Sequence, residues 1–225
     1  MLGKEHRAIR EGGTLFPSTR RYVEETGRVL KSGHNSRKIG KFVTKGKWRG
    51  FPIYTLTLEE RATCPSSCQH WRSCYGNHMH LAERIIADEF FEEILWLELE
   101  AYQRQHSGGY VVRLHVLGDF YSVGYVQFWE RALAAFPALH VFGYTARCPG
   151  TDPIGRALHP LIVTRWDRFA IRYSGVNEPN RCAVTIERGA SSAHVVCPAQ
   201  RGGTECCATC GFCWQSQRTV AFERH

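Results

Sequence analysis

The sequence has no long apolar run: no stretch approaches the roughly 20 residues needed to cross a bilayer. Its first ten residues, Met1 to Arg10, are charged and carry no apolar core of the kind a secretory leader needs. Together these absences predict a cytoplasmic protein with no membrane partner. A low-complexity tract is also missing, so the 225 residues, 43% hydrophobic, suit one well-buried core with at most a small appendage. Acidic residues are scarce at the beginning. Residues 1–50 hold 13 Lys and Arg against 4 Asp and Glu, whereas the other 175 hold 16 against 17. The net charge of +8 therefore belongs to residues 1–50, expected as a basic N-terminal arm ahead of a single α/β metal-binding domain at 51–225. Such an arm neutralises phosphates, which makes DNA or RNA one expected partner. A solvated tail is the other reading, because no run exceeds two adjacent like charges and few aromatics, among them Tyr22, Phe42 and Trp48, are there to stack on bases.

What the chain has in number is cysteine, ten in all. In a reducing compartment, clustered cysteines point to metal binding or redox chemistry rather than to disulfides. Cys64, Cys68 and Cys74 form C-x3-C-x5-C in the stretch Thr63 to Gly76. Cys207, Cys210 and Cys213 form C-x2-C-x2-C, and Cys197 completes a set of four. Cys206 is surplus, and Cys148 and Cys182 stand alone as ordinary core residues. Thiolates are soft ligands suited to zinc and to iron–sulfur clusters. Three of them can hold a [4Fe–4S] cluster with one iron open to a substrate or cofactor; four close the site. Zinc remains an alternative at both groups: His70 or His78 would complete a Cys3His set at the first, and the second has the four thiolates of a structural zinc.

Strand and helix signals alternate from residue 51. Phe51 to Leu58 reads as a strand leading into the first cysteine loop. Residues 80–105 read as a helix with an apolar stripe of Ile86, Phe90, Ile94, Leu97 and Ala101. Tyr110 to Leu117 is a buried strand. Ser122 caps a helix striped by Val126, Trp129, Leu133 and Phe136, and Asp152-Pro153 opens another. Further strands are expected at 140–145, 169–174 and 183–186, and His194-Val195-Val196 leads into the second cysteine group. The fold class is thus α/β: a partial (β/α) barrel or an open parallel sheet of about five to six strands, with a Cys-rich C-terminal segment. Sites gather at the C-terminal ends of such strands. The first cysteine loop, Gly118-Asp119, Thr145 and Ser174 all fall there. Gly118-Asp119 also reads as a plain strand-to-helix turn. His115 reads as a packed core residue, while Arg113 and Arg172 line an anion site or reach solvent.

Several blocks resemble the phage gene-product-88 family, which also occurs in prophages and has no firmly assigned activity. They are Asn35-Ser36-Arg37-Lys38, Thr63-Cys64-Pro65 with Cys74-Tyr75, Val112 to His115 through Gly118 to Ser122, and Cys197 to Gln200 with Cys210 to Trp214. The resemblance implies a phage or prophage protein in the cytoplasm of a bacterial host cell. A looser resemblance is to radical S-adenosylmethionine enzymes. Cys64, Cys68 and Cys74 match their cysteine loop, although the usual spacing there is C-x3-C-x2-C, and Gly118-Asp119 matches their glycine-acid motif. That resemblance implies a [4Fe–4S] cluster at the first group, S-adenosylmethionine as a cofactor with Asp119 accepting its amino group, and radical chemistry; with the second cysteine group the expectation is one or two clusters, and the basic arm makes nucleic acid a candidate substrate. The alternative function is a zinc-stabilised nucleic-acid-binding protein without catalysis.

Overall fold

The computed structural model describes residues 1–176 and 178–224. Its elements open with α1 (Arg7–Arg10), β1 (Arg20–Arg21), α2 (Val23–Thr26) and β2 (Leu30–Ser32). β3 (Ile53–Leu56) leads into the first cysteine loop and β4 (Arg84–Ile85) follows it. An alternating stretch comes next: α3 (Phe91–Gln105), β5 (Tyr110–Leu114), α4 (Val123–Ala135), β6 (Leu139–Thr145), α5 (Pro153–Thr164) and β7 (Phe169–Ser174). β8 (Cys182–Ile186), β9 (Val195–Val196), α6 (Cys207–Cys210), α7 (Phe212–Gln215) and β10 (Val220–Glu223) complete the chain.

Eight strands form one sheet in the order β2-β3-β5-β6-β7-β8-β10-β9, and β1 pairs with β4 apart from it. Among the described strands only β2 and β3 pair antiparallel, and an isolated antiparallel bridge joins Phe42 to Pro52. The sheet stays open, so the partial barrel is set aside, and it has eight strands where five or six were expected. β2 and β10, at three and four residues, are too short to give an alternation signal.

Side chains alternate across a strand, and here the alternation separates two environments. On one face lie α3, α4 and α5. Tyr110 Oη donates to the carbonyl of Leu99 in α3, and His159 Nδ1 of α5 lies 2.9 Å from Tyr173 Oη. The expected stripe of α4 is buried in full, and Ser122 Oγ accepts from the Tyr125 N–H, a cap worth about 1 kcal/mol. On the other face Arg113, Phe142, Tyr144 and Arg172 meet α6 and α7. The Phe142 ring is 4.7 Å from that of Trp214, which stacks in turn on Trp48.

Two expectations change. The helix at 80–105 begins only at Phe91, and its buried stripe is Phe91, Leu95 and Leu99; Phe90 and Leu97 are 45% and 51% exposed. Before it, Arg84 is fully buried against Glu60 and pulls the chain into β4. Residues 1–50 are part of the domain rather than an arm outside it. They supply β2 and the buried side chains of Val23, Val29, Leu30, Ile39, Val43 and Trp48. These apolar residues are spaced too irregularly to show a period, so the charges between them dominate the sequence. Among the described residues no helix is long and apolar enough to cross a membrane.

Candidate metal centre and cleft

The first cysteine loop is held from below. Arg84 donates to both carboxylate oxygens of Glu60, at 2.7 and 3.1 Å, and to the carbonyls of Gly76, Met79 and Ala82. Arg61 adopts a left-handed conformation, φ 67°. Its guanidinium donates to the carbonyls of Gly13 and Trp71 and to Asn77 Oδ1. The loop so fixed brings Cys64, Cys68 and Cys74 into one neighbourhood. Burial pushes all three thiols up, Cys68 to about 11, and Asp119 adds to the rise at Cys64 and Cys68. Neighbouring thiols add a further, smaller rise at both.

Gly118, Asp119 and Thr145 form a clasp beneath this loop. Gly118 has φ 85°, and a Cβ there would stand 2.6 Å from Thr63 Oγ1 and 2.7 Å from Leu58 Cβ. The Asp119 N–H donates to Thr63 Oγ1. Its carboxylate accepts from the N–H groups of Phe120 and Ala146 and from the Thr145 hydroxyl, each at 2.7 Å. Burial outweighs these bonds and lifts the Asp119 carboxyl to about 6. The turn reading of Gly118-Asp119 therefore describes its contacts. Ser174, by contrast, faces an open cavity.

The second group is assembled on the face that α6 and α7 cover. Cys197 follows β9, Cys207 and Cys210 bracket α6, and Cys213 sits in α7; all four line one cavity with Tyr144, Trp214 and Phe222. Tyr144 Oη donates to Cys213 Sγ at 2.9 Å. Burial, and then the neighbouring thiols, push Cys207 up. Arg113 opposes that rise at Cys207, and Arg172 and Arg113 do so at Cys213. Neither arginine has a carboxylate within ion-pair distance among the described residues. Arg172 is fully buried and donates to carbonyls, those of Cys213 and Arg218 at 3.0 and 2.7 Å among them. Arg113 donates to the carbonyl of Leu114 and lies over the rings of Tyr144 and Phe142. Cys206, surplus in the sequence, packs on Gly40, where a Cβ would come within 2.8 Å of its sulfur. Cys182 is buried with its thiol against loop carbonyls.

Between the first cysteine loop and the second group runs a cleft of two adjoining cavities, about 450 and 470 Å³, that share Tyr75, Tyr144 and Phe222, with Cys64, Cys68 and Cys74 themselves outside its lining. Both volumes fall in the range of small-molecule sites. Ser73, Tyr75 and His78 come from the first loop, and Cys197 and Cys207 from the second group. His70 also lines the cleft, and its Nε2 lies 2.9 Å from Thr185 Oγ1. Nothing in their local sequence marks Tyr144 and Phe222 as wall residues. Tyr144 shares its parity and register with Arg172, a signal that emerges only once the strands are aligned.

Among the described residues no three or more His, Cys, Asp or Glu side chains form a group that could hold a metal ion as they stand. Each cysteine group would have to draw its sulfurs inward on binding. The donor chemistry and the surrounding charge of the C-terminal group fit a thiolate centre all the same: four soft ligands beside two cations that have no anion. No family model matches the chain, and there is no match among curated proteins or solved structures.

Proposed function

We propose that the protein is an iron–sulfur protein acting on a substrate held in the cleft between its two cysteine groups. The observation that carries this reading is the unpaired charge of Arg113 and Arg172 beside Cys207 and Cys213. Burying an ion without a counter-charge costs several kcal/mol. Four thiolates around a [4Fe–4S] core, or around zinc, leave a net charge of about −2, which two guanidinium groups offset. Cys197, Cys207, Cys210 and Cys213 would hold this closed centre. Cys64, Cys68 and Cys74 would hold an open one, with His70 engaged with Thr185 across the cleft and His78 left on the cleft wall rather than taken as a fourth ligand. An open cluster supplies one-electron chemistry at a free iron, with S-adenosylmethionine as the cofactor implied by the radical-enzyme resemblance. The chain's own part is to shape the site. The Asp119 clasp sets the base of the loop, Ser174 and Tyr75 face the bound molecule, and the apolar walls of Tyr144 and Phe222 limit water.

Purification without oxygen followed by metal and sulfide analysis tests the reading. Iron and sulfide in equal amounts are expected, and colourless protein carrying zinc alone would sink it. The Cys64→Ser variant should lose one cluster's worth of iron and keep the other. Adding S-adenosylmethionine and a reductant then asks whether the open iron is used, with deoxyadenosine as the product measured. Zinc at the C-terminal group alone is a second reading, favoured by its closed set of four thiols. It predicts one zinc beside one iron–sulfur cluster.

A further inference from the structure

The cations of the first fifty residues are not equivalent. Arg7 pairs with Glu11, Arg20 with Glu59, and Arg21 and Lys31 share Glu83. Residues 33–50 contain no Asp or Glu at all, yet hold Arg37, Lys38, Lys41, Lys45, Lys47 and Arg49. All six are exposed, and among the described residues none is in ion-pair contact with a carboxylate. They are not carried on a loose tail. Ile39, Val43 and Trp48 are buried beneath them. The N–H groups of Cys207 and Ala208 donate to the carbonyls of Lys38 and Ile39, both at 2.9 Å, and the Thr44 N–H donates to the Ala208 carbonyl at 3.1 Å. The basic loop and the C-terminal cysteine segment are thus one bonded unit. Two exposed aromatics accompany the charges. Phe42 is 45% exposed with Lys41 over its ring, and Tyr75 is 38% exposed on the rim of the cleft, with Lys38 at 4.7 Å from its centroid.

We propose that residues 37–49 bind a single-stranded nucleic acid, its phosphates along the six cations and one base entering the cleft past Tyr75. A fixed row of cations supplies sequence-independent affinity for phosphates. Aromatics interleaved with those cations give bases a surface to stack on, and stacking requires bases that are not already paired. A duplex keeps its bases inside and offers nothing to an aromatic-lined cleft. This assignment gives the cleft of the preceding reading its substrate class. It rests on that cleft and not on which metal the cysteines take.

Fluorescence anisotropy with the full chain, purified without oxygen, tests it against a 12-nucleotide RNA, the same sequence as DNA, and the DNA duplex. Single strands should bind more tightly than the duplex, and the RNA and DNA arms identify which strand is preferred. The logarithm of affinity should fall with that of salt by about 0.7 for each phosphate neutralised. The triple variant Lys41→Glu, Lys45→Glu, Lys47→Glu should weaken binding more than tenfold and flatten that slope. The control Lys4→Glu, Arg10→Glu should stay within about twofold. Phe42→Ala and Tyr75→Ala should each cost about fivefold or more without changing the slope, as loss of stacking does. Absence of binding at low salt, a duplex bound as tightly as the single strands, or a control as weak as the triple variant would each overturn the proposal. An unchanged Tyr75→Ala would overturn the entry of a base into the cleft. Metal is assayed on the same samples, so strand binding by iron-free protein counts against the cluster alone, and iron-loaded protein that binds no strand counts against this proposal alone.

Discussion

The two cysteine groups are built in contrasting electrostatic surroundings. Around the N-terminal loop both signs of charge are present: Glu60 is neutralised by Arg84 in full burial, Arg61 ties down three oxygens, and Asp119 lies within reach of Cys64. Around the C-terminal segment the charged groups that act most on Cys207 and Cys213 are the other thiols and two arginines, and the one carboxylate lining the cavity beside Cys207, Glu205, makes no ion pair with either arginine among the described residues. The contrast implies different dependence on a ligand. The loop's framework is complete from protein groups alone, so it should stay ordered without metal. The C-terminal segment has a positive field and short helices of four residues, too brief to be stable by themselves. Its order should depend on the bound centre. Metal removal should therefore speed hydrogen exchange in residues 197–215 and leave 58–77 protected, and equal loss in both segments would erase the distinction.

The largest effect is expected where the loop's framework is cut. Glu60→Ala strands the Arg84 cation in the interior and should cost about 3–5 kcal/mol in urea denaturation of the chain. A loss below about 1 kcal/mol would mean that the carbonyls around Arg84 suffice. Next comes the acid response of His115, which directly follows β5 and packs on Phe120 and on Tyr125 of α4. Burial, and then Arg113, push its imidazole down to about 3, against about 6.5 when unfolded. Between those values the unfolded chain binds the extra proton, so stability falls as pH drops through 6.5 toward 3, by up to about 1.4 kcal/mol per unit. Asp119 acts in the other direction: lifted to about 6, it favours the fold at low pH and loses that contribution as pH rises through 6. His115→Leu in metal-free protein should therefore reverse the pH trend of stability between 4 and 6, and a parallel offset at every pH would refute the assignment. Smaller again is Arg113→Met. In metal-free protein it removes a half-buried charge that has no carboxylate in ion-pair contact and should leave stability unchanged or higher, while metal affinity at the C-terminal group falls about tenfold. A destabilised metal-free variant would show that Arg113 serves packing instead.

Much of the fold was legible because its elements carry independent local signals. Ser122 and Asp152 cap helices as their types suggest, and the continuous apolar run of β5 marks a strand covered on both faces. The stripe of α3 was misread because Phe90 and Leu97 recur as regularly as Phe91, Leu95 and Leu99; which set is inside depends on where the helix starts, and Arg84 with Glu60 decides that from outside the helix. At the site, the cysteines announce themselves by spacing. Their surroundings do not, since the neighbours of Cys213 come from Tyr144 and Arg172, 69 and 41 residues away. The role of residues 1–50 was hidden for a related reason. Trp48 is buried through Trp214, far along the chain, so its own neighbourhood reads as basic surface.

The smallest change isolates one proton. Tyr144→Phe keeps the ring beneath Arg113, 4.7 Å from its guanidinium, and the edge contact with Phe222 at 5.5 Å, but removes the O–H that points to Cys213 Sγ. A neutral hydrogen bond contributes about 0.5–1.5 kcal/mol, so affinity of the C-terminal group for cobalt or zinc should fall by about two- to tenfold. Measured in a chain that also carries Cys64→Ser, Cys68→Ser and Cys74→Ser, the loss reports on that group alone. The N-terminal loop, read separately in a Cys207→Ser, Cys210→Ser, Cys213→Ser chain, should show no change, because none of its thiols meets Tyr144. If Tyr144→Phe is silent and Tyr144→Ala is not, the ring rather than the hydroxyl supports Cys213. If both weaken the N-terminal group equally, the two groups share one environment, and the contrast drawn between them is wrong.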